Sequence, residues 1–202
     1  QLLSIGIGSW SIMKLVYIHG ASATGDSFNY IREHLNHADD LVIEYDSANG
    51  FENNLKEMQQ QLCKLDDIYF ITHSLGGIYA VHLAHAIANK VRGAITISAP
   101  YGGAETADFA QYFLPFNRLM QDIGPGSWPI RTSNEIKIQH PWTNIVTTRG
   151  SNPWIVGAND GVVTINSMQY RSDMHLIELH TNHYEVIMNP AVVDIIRDKM
   201  KG

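Results

Sequence analysis

Thr72-His73-Ser74-Leu75-Gly76-Gly77 narrows what this chain can fold into more than any other stretch. Ile68 to Thr72 is short, apolar and rich in β-branched and aromatic residues, as a buried parallel strand requires. Leu75 to Asn89 sets Ile78, Leu83 and Ile87 among alanines, a helical composition. Ser74 therefore falls at a strand-to-helix junction. A sharp turn there holds a serine in a strained conformation and lifts its oxygen clear of the sheet. Strand and helix cross closely, so the residues two before and two after must be small. Such motifs usually read Gly-x-Ser-x-Gly; here Thr72, compact and suited to a strand end, replaces the first glycine. Gly76 keeps the second. On these residues alone Ser74 is either a nucleophile or a serine in an ordinary turn, and its surroundings must decide.

Those surroundings read as an α/β domain. From Lys14 onward short apolar segments alternate with helical patterns, which predicts a mostly parallel sheet flanked by helices. The strand candidates are Leu15–Ile18, Leu41–Tyr45, Ile68–Ile71, Ala94–Ser98, Trp154–Val156 and Leu176–Leu179. Phe28, Ile31 and Leu35 share one helical face, and Leu55, Met58, Leu62 and Leu65 another. A last helix starts near Ala191 with Pro190 in its first turn, where the missing N–H costs nothing. Residues 13–202 are expected to form a single domain. Residues 1–12 are expected to be an extension or an expression remnant, because Met13 directly precedes the first credible strand.

Residues 102–150 break the alternation. The segment carries Phe109, Tyr112, Phe113 and Phe116, then Pro125, Trp128 and Pro129. It reads either as an ordinary packing helix with a long loop or as a small cap, and long insertions in compact domains favour the cap. Tyr101, Phe109 and Phe113 are then the candidates to line an apolar substrate pocket.

Partners for Ser74 must come later in the chain, as an acid and then a histidine. Asn159-Asp160-Gly161 follows one strand candidate, and His180-Thr181-Asn182-His183 follows the next. Side chains at the carboxyl ends of parallel strands converge above the sheet. A serine hydroxyl needs a neighbouring imidazole to take its proton, and a carboxylate to fix that imidazole's tautomer. Asn159-Asp160-Gly161 alone would read as a tight turn; its place between two strands makes Asp160 the candidate acid. Glu105 and Asp108 are the alternatives. His183, in a loop and free to reach inward, is preferred to His180, which is expected to be buried beside the strand. On the first strand, His19-Gly20-Ala21 offers the Ala21 N–H to supplement that of Leu75 as an oxyanion hole. His19 is expected to order that loop.

Composition removes other classes. The net charge of −6 and the lack of a Lys/Arg cluster argue against nucleic-acid partners. No apolar run reaches the length of a transmembrane segment. No cationic segment precedes the apolar start, so a signal peptide is not expected and the cytoplasm is favoured over secretion. Cys63, the single cysteine, cannot form an internal disulfide and is expected as a small buried residue. Ten histidines raise the possibility of a metal. His34/His37 and His82/His85 lie three apart, but no third ligand or His-Glu-x-x-His pattern accompanies them, so no metal is expected.

With these residues assembled, the chain resembles the α/β-hydrolase superfamily, and within it compact bacterial lipases and carboxylesterases. The resemblance spans most of the chain from Lys14. It rests on His19-Gly20-Ala21, the Ser74 hexapeptide, Asn159-Asp160-Gly161-Val162-Val163, His183 and Ser98-Ala99-Pro100-Tyr101-Gly102-Gly103, which leads to Ala107-Asp108-Phe109. It implies a sheet of about six strands and attack by Ser74 on a small-molecule ester or lipid, with His183 as base and Asp160 orienting it. It implies no cofactor. A thioesterase or amidase on the same groups, and a non-enzymatic binding module on the same scaffold, are the alternatives. Oligomeric state is not legible.

Overall fold

Six short segments form one sheet, and every neighbouring pair runs parallel. The computed structural model describes residues 13–104 and 118–201. Its strands are β1 (Lys14–Ile18), β2 (Asp40–Ile43), β3 (Ile68–His73), β4 (Val91–Ile97), β5 (Trp142–Thr147) and β6 (His175–Leu179). They lie in the order β2-β1-β3-β4-β5-β6. The chain leaves β1 toward β2 and leaves β3 toward β4. The switch point of the sheet therefore lies between β1 and β3, where crevices open at the carboxyl ends of strands.

The helices are α1 (Asn29–Leu35), α2 (Phe51–Leu62), α3 (Leu75–Ala86), α4 (Arg118–Ile123), α5 (Trp128–Glu135), a single turn α6 (Ile165–Met168) and α7 (Pro190–Met200). They cover both faces. Val16 and Ile18 pack with α2 and α3 on one side, while Leu15 and Tyr17 pack with α1 and α7 on the other. Burial on both faces explains why the strands read as continuous apolar runs. Each large side chain so buried contributes about 1.5–3 kcal/mol. Helix α3 is covered almost all round, with Leu75 through Ala84 buried. Among the described residues no helix is long and apolar enough to cross a membrane.

Two expectations need correction. The fifth strand is Trp142–Thr147, not Trp154–Val156, so the end of the expected 102–150 insertion belongs to the sheet. Trp154 and Val156 stand exposed in the loop after β5, between Pro153 and Gly157, residues that interrupt strand pairing. Cys63 is exposed, not buried. It caps the end of α2, and its thiol donates to the Gln60 carbonyl at 3.2 Å.

Candidate active site

The β3–α3 junction is as sharp as its composition predicts. Ser74 has φ 51° and ψ −122°, a conformation that side chains other than glycine rarely adopt. Its N–H still joins the sheet, donating to the Ile97 carbonyl at 2.8 Å. Ser74 occupies the N-cap of α3, yet its hydroxyl does not cap the helix, although serine favours that role. Close packing explains the small flanks. A Cβ at Gly76 would lie 2.2 Å from the Ile18 carbonyl oxygen, so only glycine lets α3 approach β1 this tightly. Thr72, in the place of the missing glycine, is accommodated fully buried.

The β1 loop lies against this elbow: a Cβ at Gly20 would come within 3.1 Å of the Ser74 Cβ. His19 is wholly buried and orders the loop as expected. Its Nδ1–H donates to the Gly20 carbonyl at 2.8 Å, and its ring stacks on Tyr45 at 4.3 Å. The Ser22 N–H is committed to Ser47 Oγ and the Ala23 N–H to the Gly20 carbonyl. Ala21 is buried between these committed neighbours, and Leu75 opens α3, where helix N–H groups lack intrahelical partners.

Asp160 and His183 meet although 23 residues separate them: His183 Nδ1 lies 2.7 Å from Asp160 Oδ2. Both side chains are almost fully buried. The Val162 and Val163 N–H groups donate to Asp160 Oδ1 at 3.0 and 2.7 Å. The Thr147 hydroxyl donates to Oδ2, and Ser98 Oγ, 2.8 Å from Thr147 Oγ1, is left to donate to Thr147. Burial alone would raise the carboxyl's pKa. The adjacent His183, the Thr147 hydroxyl and the Val163 N–H outweigh it and hold Asp160 below the usual carboxylate range. An ionised Asp160 fixes the His183 proton on Nδ1 and leaves the Nε2 lone pair bare. Among the described residues Nε2, though buried, has no hydrogen-bond partner. A general base must also reach the proton it takes, and no hydrogen bond joins Nε2 to Ser74 Oγ in this structure.

His73, which the motif reading left without a role, ties the two halves together. Its Nε2–H donates to the His183 carbonyl at 2.9 Å, and the two rings lie 4.8 Å apart. Burial, then the neighbouring His183, push the His73 pKa down to about 3, so the ring is neutral at ordinary pH. Its place beside Ser74 was the available signal. Thr147 carries no signal of its own, because β5 interleaves polar with apolar residues and does not read as a strand.

The other expected residues fall elsewhere. Tyr101 is wholly buried and serves packing rather than an open pocket. Its hydroxyl donates to Thr96 Oγ1 at 2.9 Å and accepts from Trp142 Nε1 at 3.0 Å. Phe109, Phe113, Glu105 and Asp108 lie outside the described residues. His180 is exposed, not buried, 3.5 Å from Thr148 Oγ1. His34 Nδ1 and His37 Nε2 bond the Tyr30 and Met13 carbonyls, and His82 bonds the Pro129 carbonyl. Among the described residues no three His, Cys, Asp or Glu side chains converge as a metal would need.

No protein-family model matches the chain, and no curated protein does. Solved structures do. A hydrolase from Oleispira antarctica superposes with a TM-score of 0.70 at 12% identity, over 94% of this chain and 91% of its own. A mature lipase from Bacillus licheniformis gives 0.68 at 16%, over 93% and 91%. A thioesterase of the prodiginine pathway from Streptomyces coelicolor gives 0.64 at 13%, over 93% and 90%. At these identities the likeness establishes the architecture: the chain has the α/β-hydrolase fold.

Proposed function

We propose that this protein is a serine hydrolase of carboxylic esters. The observation that supports the reading is the buried Asp160–His183 hydrogen bond, together with a serine held at a positive φ after β3. Ser74 Oγ attacks the ester carbonyl while His183 Nε2 takes its proton. Asp160 stabilises the imidazolium that forms. The N–H groups of Leu75 and Ala21 receive the oxyanion; losing one such donor costs about 2.7–4 kcal/mol of transition-state stabilisation. Collapse expels the alcohol, protonated by His183, and leaves an acyl group on Ser74. His183 then activates a water, which releases the acid and restores the serine. No step requires a metal or an organic cofactor.

The structural neighbours include a lipase and a thioesterase, and this acyl chemistry is common to both activities. Hydrolysis of p-nitrophenyl esters from short to long acyl chains, beside matched thioesters and anilides, tests the reading. Ester cleavage that disappears in Ser74→Ala is the expected result. A long-chain optimum would mark a lipase, and a short-chain optimum an esterase. Thioester or anilide cleavage alone would move the substrate class. Cleavage of none of them would favour a binding module.

A further inference from the structure

A cavity lies at the other end of the sheet from Ser74. It has a volume of about 180 Å³ and lies between the last turns of α3, the 136–140 segment and the start of β5. Ala84, in its wall, is nine residues beyond Leu75, roughly 14 Å along the helix. Trp142, in the opposite wall, opens the strand that ends at Thr147 beside Asp160, roughly 17 Å away. Two elements of different geometry thus place the cavity more than a ligand's length from the candidate active site.

Its lining is amphipathic in a definite sense. Val81, Ala84, Ile136, Ile138 and Trp142 supply apolar surface. The polar groups are His85, Lys137, Gln139 and His140, with no acidic side chain among the described residues that line it. That is a local excess of basic groups in a chain of net charge −6. Lys137 is exposed and joins no ion pair among the described residues. The volume also suffices, since an apolar cavity of about 150 Å³ admits benzene.

We propose that this cavity binds a small amphipathic carboxylate, an aromatic ring or a chain of about six carbons bearing one acid group, at a site separate from Ser74. The apolar body rests on Trp142, Ala84 and Val81, and the carboxylate faces Lys137. The Lys137 contact is a charge-assisted hydrogen bond, stronger than any a neutral analogue can make there.

The Trp142 indole resonance reports occupancy directly, and Trp142→Phe assigns it. Titration of the full chain with benzoate and hexanoate should shift this resonance saturably. Benzyl alcohol and hexanol, neutral and of similar size, should bind at least tenfold more weakly. Lys137→Gln should bring the carboxylates down to the level of the alcohols. Ala84→Phe should abolish the shift for all four while the Trp128 and Trp154 resonances stay in place. Ala88→Phe, at the half-buried lip, replaces it if that variant does not fold. An unmoved Trp142 resonance at saturating carboxylate would overturn the proposal, as would a shift that survives the filled cavity. Equal binding of acid and alcohol would overturn the ligand class.

Discussion

Asp160 sits almost entirely out of water, where ionisation is costly, and it receives four donors: His183 Nδ1–H, the Thr147 hydroxyl and the N–H groups of Val162 and Val163. Two of these lie on Oδ1 and two on Oδ2, so the carboxylate cannot rotate without losing bonds. Asp160→Asn would turn an amide donor toward one of these groups and favour the wrong imidazole tautomer. A fall in kcat of about 10⁴ is expected, with the fold intact by circular dichroism. Asp108→Asn should leave kcat within a few-fold, and the reverse ranking would assign the acid to Asp108. His73 acts on the other flank. His73→Leu leaves the buried His183 carbonyl without its donor, at a cost of about 1–3 kcal/mol in stability. The loosened loop should lower kcat about tenfold with KM little changed, and His73→Gln, which retains an N–H, should recover most of the loss. A change confined to KM would show that His73 positions substrate instead of His183.

Among the elements, α3 and β1 depend on a contact that no side chain can share. Gly76→Ala would drive a methyl into the Ile18 carbonyl, and backbone cannot yield as a flexible side chain does. A loss of at least about 2 kcal/mol is expected in urea unfolding, at the upper end of ordinary single substitutions, and an unchanged midpoint would contradict the tight crossing. This glycine was legible in the sequence because the Ser74 motif requires a small residue there. Strand β5 was not. Trp142-Thr143-Asn144-Ile145-Val146-Thr147 interleaves polar with apolar residues, yet all six are buried. Asn144 and Thr147 find hydrogen-bond partners there. Thr96 Oγ1 donates to Asn144 Oδ1 at 2.8 Å, and Asn144 Nδ2 donates to the Met168 carbonyl at 2.8 Å. Trp142 and Tyr101 extend the same chain of bonds to Thr96. A hydrogen-bonded core strand of this kind resembles a loop by hydropathy, whereas Trp154-Ile155-Val156 resembles a strand and is a turn braced by Asn152 and Asn159. Asp160 and His183 are paired in spite of the misplaced strand because each still follows a strand: β5 through a longer loop, and β6 directly.

The molecule as a whole carries these buried histidines as a pH dependence. His73 takes a proton near pH 6.5 in an unfolded chain but only near pH 3 when folded. Its contribution to stability is therefore complete above pH 6.5 and is lost as the pH falls toward 3, with a limiting slope of about 1.4 kcal/mol per pH unit. His82, also lowered by burial, adds in the same direction. Urea unfolding between pH 4.5 and 7.5 should show stability falling on the acid side, with a smaller slope in His73→Gln; identical slopes would contradict a neutral, buried His73. Above this background stands the claim that Ser74 is a nucleophile activated by His183 and Asp160, and covalent capture tests it most directly. The intact protein would be treated with a fluorophosphonate and the adduct mapped by mass spectrometry. One phosphonyl group per chain on Ser74, formed at least a hundredfold more slowly in His183→Ala, is the predicted result. A folded protein that takes no label, or takes it on another serine, would contradict the account.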